Sequence, residues 1–125
     1  MKRRNLMSIA PVLGALLALG AAAPSPVMAR ESDAAATKTD LRCAVVLFTA
    51  LGSGTMDKQQ ATVGAFYFLG RLDGRAPNLD LQAAFTAELN DMSGDDMKRQ
   101  ALICGKILGD RGKSLMTLGE AMQKP

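Results

Sequence analysis

The side chains that could carry chemistry are few and widely spaced. Cys43 and Cys104 are the only cysteines. Arg71 and Arg75 stand one helical turn apart, with Asp73 between them, just after the aromatic run Phe66-Tyr67-Phe68. Asp95 and Asp96 are adjacent, and Met97, Met116 and Met122 punctuate the C-terminal stretch. Histidine and tryptophan are absent from the sequence. Without histidine there is no Ser–His or Cys–His nucleophile, no imidazole base, and none of the commonest zinc or copper ligand. The cysteines are not in a C-x-x-C arrangement, and no glycine-rich loop of phosphate-binding form is present.

Carboxylates are therefore the only plentiful acid–base groups. Asp95 and Asp96 point about 100° apart on a helix, which suits a helix start better than a shared proton. Carboxylate pairs form in space, so a pair elsewhere stays open at this point. The sequence assigns no catalytic residue, no cofactor and no metal ligand. Arg71 and Arg75 have two readings: a paired cation offered to an anionic ligand or partner, or partners for nearby acids and for the last carbonyls of their own helix. The methionines likewise read either as an adaptable binding surface or as core and dimer packing.

The elements that would position these residues begin after an export signal. Lys2, Arg3 and Arg4 form a positive start, Leu6 to Ala23 is uncharged and rich in Leu and Ala, Pro24-Ser25-Pro26 interrupts it, and Val27-Met28-Ala29 ends on a small residue. This order of charge, apolar run and small-residue site is that of a cleavable signal peptide, so residues 1–29 are expected to be removed. The alternative is retention as an anchor, for which the run is barely long enough. All 12 acids and all but three of the 15 bases follow Ala29. The net charge of +3 thus belongs to Lys2, Arg3 and Arg4. A near-neutral mature domain gives no electrostatic reason to expect nucleic acid as a partner, and no stable membrane span is expected after cleavage.

Residues 30–38 lack an apolar face and read as a flexible tail, leaving 39–125 as a single domain. Helix 1 is expected from about Thr39, which caps it, with Leu41, Ala44, Val45, Phe48 and Leu51 on one face and Gly52-Ser53-Gly54 as its stop. Helix 2 is expected from Thr55 to Gly74. Its apolar residues lie almost all round, which marks it as central, and Gly64 and Gly70 suggest a close neighbour. Helix 3 is expected over Leu79–Asn90. Helix 4 opens on Ser93, with Asp96 completing a capping box. Met97, Ala101, Cys104, Leu108, Leu115, Leu118 and Met122 then keep one helical phase across Gly109-Asp110-Arg111-Gly112. A single helix is favoured, bent at those glycines, because a straight one of about 28 residues would reach ~42 Å.

No stretch alternates with strand period. The expected fold is an all-α four-helix bundle. In an oxidising compartment two cysteines of a small exported domain pair, so a Cys43–Cys104 disulfide should join helix 1 to the long C-terminal helix, with Gly105 giving room.

The segments Leu41-Arg42-Cys43-Ala44, Ala65-Phe66-Tyr67-Phe68-Leu69-Gly70-Arg71 and Cys104-Gly105 resemble a set of small, exported, two-cysteine helical proteins of proteobacteria of uncharacterised function. The resemblance spans most of the mature chain and implies no site. A more distant likeness is to periplasmic acid-stress chaperones, also helical and built around one disulfide, from which this chain departs in having no tryptophan. The reading that follows is a periplasmic or secreted, non-enzymatic helical module. It would bind an unknown protein, an envelope component or a second copy of itself, with an acid-responsive chaperone as the alternative.

Overall fold

A computed structural model describes residues 26–123. The charged start and the apolar run Leu6–Ala23, on which the export reading depends, lie outside the described residues. Within them are four helices and no strand: α1 (Pro26–Ser53), α2 (Lys58–Arg75), α3 (Leu81–Asp91) and α4 (Gly94–Met122). None is long and apolar enough to cross a membrane. The all-α expectation holds, as does the disulfide: Cys43 and Cys104 are bonded, their Cα atoms 5.5 Å apart, and tie α1 to α4.

α1 begins well before the expected Thr39. Residues 30–38, read as a tail, lie inside it, and so does the expected cleavage point after Ala29. Pro26 is the first of its described residues. Ala34-Ala35-Ala36 favours helix strongly. Thr37 and Thr39 do not cap; their hydroxyls donate to the carbonyls of Asp33 and Ala35, four residues back, at 2.8 and 3.0 Å. That is the bond of a hydroxyl inside a helix. The far end is as expected: α1 stops at Ser53 and Gly54 turns the chain with φ of 67°, a conformation only glycine adopts without strain.

Caps fix the remaining starts. Asp57, not Thr55, caps α2 by accepting from the Gln60 N–H. Asp80 caps α3 through the Ala83 N–H. Ser93 and Asp96 form the reciprocal capping box of α4. The Ser93 hydroxyl, then its backbone N–H, and Arg99 hold the Asp96 carboxyl below its ordinary value. α4 then runs unbroken through Gly109–Gly112.

The central helix is α1 rather than α2. It packs against all three others, whereas α2 and α4 hardly touch each other. Its Cys43, Ala44, Val45 and Leu47 are buried, together with Ala61, Ala65, Phe68 and Leu72 of α2. The expected all-round burial of α2 fails because only one side meets α1: Val63 and Phe66 remain 62 and 68 % exposed. Gly64 does answer a close approach, since a Cβ there would meet Leu47 Cδ1 and Leu108 Cδ1, each at 3.0 Å. Gly70 and Gly105 have nothing within 4 Å of that position, so Gly105 is not what makes room for the disulfide. α3 has no fully buried residue. It lies on α1 through Phe48 and Phe85, edge to face at 5.6 Å, and through Arg42, which donates to Glu88 Oε2 and Asp91 Oδ2 at 2.7 Å each.

Candidate functional site

Two constellations stand out, and they behave in opposite ways. The first contains the arginines singled out from sequence. Asp40 lies in the middle of α1 on the face that carries Ala44 and Leu47, and its side chain is fully buried. Its Oδ2 accepts from Arg71 Nε at 3.1 Å and from Arg75 Nη1. Spacing of i and i+4 puts both guanidinium groups on one side of α2, so a single carboxylate takes both. Arg71 also donates to the Tyr67 hydroxyl at 3.1 Å and lies over the rings of Tyr67 and Phe68. The anion these arginines hold is thus one of the chain's own. Asp40 Oδ1 is buried and has no hydrogen-bond partner among the described residues.

Asp40 follows Thr39, so the expected helix start would set it in the first turn, near solvent. The available signal was its phase: residues 40, 44 and 47 fall on one face at spacings of four and three, so a charge sat in a buried register, and a pair of arginines on another element was the natural counterpart. The other sequence candidates do not converge. Asp95 pairs with Lys98 on the surface and Asp96 is committed to the cap. Met97 is partly buried, while Met116 and Met122 are exposed. Among the described residues no group of three or more acids or cysteines could hold a metal ion.

The second constellation is a groove of about 900 Å³ between α2 and α4, floored by Val46 and Leu47 of α1. Val63, Gly64 and Tyr67 form one wall, and Ala101, Leu108 and Leu115 with Gly105, Gly109 and Gly112 form the other. Its only lining carboxylate is Asp57, which already caps α2. The groove exists because α4 is pinned to α1 at Cys104, and one turn further on Leu108 reaches Gly64, while nothing else closes the gap to α2. Beyond Leu108 the expected core stripe is not core. Leu115, Leu118 and Met122 are 54, 56 and 78 % exposed, because no element of the described chain extends over them.

Such a surface has apolar area, small residues that admit a close backbone, and a polar mouth of Gln59, Gln60 and Arg111. No protein-family model matches this chain, and neither the curated proteins nor the solved structures provide a match.

Proposed function

We propose that the chain acts, after export, as a small non-enzymatic binding module whose groove between α2 and α4 receives an apolar helical segment of a protein partner. The observation that carries this reading is the groove itself: a long apolar trough with a floor and two walls, left open where a bundle would place another helix. The disulfide suits the oxidising compartment that the N-terminal pattern predicts. The lining holds no pair of carboxylates, which agrees with a binding role.

Photo-crosslinking in cells tests it. A benzophenone side chain at position 63 faces the groove, and one at Leu102, exposed and outside the lining, is the control. Discrete products are expected from position 63, whether the captured chain is another protein or a second copy, and none from position 102. No product from 63, or the same products from both, contradicts the reading.

One observation favours a second reading, the acid-responsive chaperone. Asp40 ties α1 to α2 through two arginines and has no other partner among the described residues. Protonating the twelve carboxylates would leave the near-neutral mature chain strongly positive and loosen it, with the disulfide still joining α1 to α4. Light scattering of an aggregating client at about pH 2–3 decides this; no protection there removes the idea.

A further inference from the structure

The last three turns of α4 carry apolar residues that no other described element covers. Cys104, Leu108, Arg111, Leu115, Leu118 and Met122 are spaced 4, 3, 4, 3 and 4 apart. A strict alternation of threes and fours is the seam by which one helix packs along another, and a single polar residue in such a seam fixes register. Cys104 is buried against α1 and Leu108 is partly covered, whereas every residue from Lys113 to Leu118 and from Glu120 to Gln123 is exposed. The seam continues past the body as an arm with no described element beside it.

The groove matches that arm. From Ala101 to Leu115 its α4 wall is about 21 Å long, and the arm from Arg111 to Met122 is about 17 Å. Leu115 belongs to both, so arm and groove form one continuous apolar surface. The arm carries few charges, Arg111 and Lys113 near its start and Glu120 near its end, so between Ser114 and Gly119 two arms meet through uncharged residues. The geometry points to a second copy of this chain as the occupant of the groove. This deepens the reading given above and rests on it. Two copies related by a two-fold axis near Gly112 run their α4 helices antiparallel, and each arm fills the other's groove. Gly105 and Gly109 then face the arriving helix and let its backbone come close. The 17 residues that line the groove, with Met116, Leu118, Gly119 and Met122 of the arm, bring each copy into the range of about 20–30 residues per side of a standard interface.

Light scattering on a sizing column and native mass spectrometry of the mature oxidised protein, over a range of concentrations, test this directly. The expected result is twice the mass of one mature chain. Leu118→Asp in the arm and Val63→Glu in the groove wall should each weaken association by about 30-fold or more, the effect of losing an interface anchor. Both positions are more than half exposed in a single copy, so helix content and the disulfide should survive both changes. Leu102→Asp should leave the dimer intact. A monomer at every concentration overturns the proposal. So does a dimer indifferent to Val63→Glu, because its arms would then be paired outside the groove. If the protein is monomeric yet position 63 still crosslinks to a different protein in cells, the groove reading stands and only self-docking falls. If neither occurs, both fall.

Discussion

α1 and α4 are the two long helices, and both carry an apolar stripe at spacings of three and four. Their outcomes differ. From Asp40 to Leu47, α1 is sealed between α2, α3 and α4, and even its single buried charge is met by two arginines. α4 is buried at Gln100 and Cys104, and its stripe then runs out into solvent. Periodicity states which side of a helix wants cover. It does not state whether the cover comes from the same chain. In α1 it does; in the C-terminal half of α4 the pattern is equally clear and no described element covers it.

That contrast makes the disulfide the main attachment of α4, and removing it should have the largest effect on the fold. A bond closing a loop with a sequence separation of 61 disfavours the unfolded chain by about 4 kcal/mol. Cys43→Ser with Cys104→Ser should therefore lower stability by roughly that amount in urea unfolding. A loss below about 1 kcal/mol would mean that α4 is held by packing, as α2 is, and the contrast would fail. Within the sealed seam, Asp40→Asn leaves two arginines, each about a third exposed, facing a neutral amide. The expected loss is about 3 kcal/mol, the lower end for breaking a buried pair, because the arginines keep partial access to water. Asp40→Asn combined with Arg75→Gln should cost less than the sum of the separate changes.

The glycines sharpen the comparison on a smaller scale. Gly70→Ala has open space at the new methyl and should add about 0.5–1 kcal/mol by restricting the unfolded chain and favouring helix. Gly64→Ala gains nothing comparable, because its methyl meets Leu47 and Leu108 at 3.0 Å. Equal gains at both sites would show that α1, α2 and α4 do not converge there.

The smallest effect belongs to the start of α4. The Asp96 carboxyl is held below its ordinary value by Ser93 and Arg99. Its contribution is therefore complete above the ordinary carboxylate value and is lost as the pH falls through the lowered one. Asp96→Asn should remove that part of the acid dependence and leave the neutral-to-basic range unchanged in slope. Asp110, lowered by its hydrogen bond from Lys106, behaves with the same sign.

Much of this was legible in the residues. The capping box at Ser93, the stop at Gly54, the pairing of Cys43 with Cys104 and the continuity of α4 all follow from local chemistry and spacing. The early helix before Thr39 was not legible, because helix propensity in Ala34-Ala35-Ala36 carries it where Asp33 to Thr39 bury no side chain fully. The exposure of Val63 and Phe66 was not legible either, since an apolar residue on a helix announces a preference and not a neighbour. Asp40 was hidden by its position shortly after two threonines, which imitates a helix start. The groove was invisible because it arises from what α2 and α4 fail to contact.

Hydrogen exchange along α4 in the mature, oxidised protein tests the central contrast most directly. The account predicts that amides from Lys113 to Met122 exchange slowly at concentrations where the dimer forms and quickly on dilution, while those around Cys104 stay slow throughout. Rapid exchange of the arm at every concentration, or protection that persists in the isolated monomer, would contradict it.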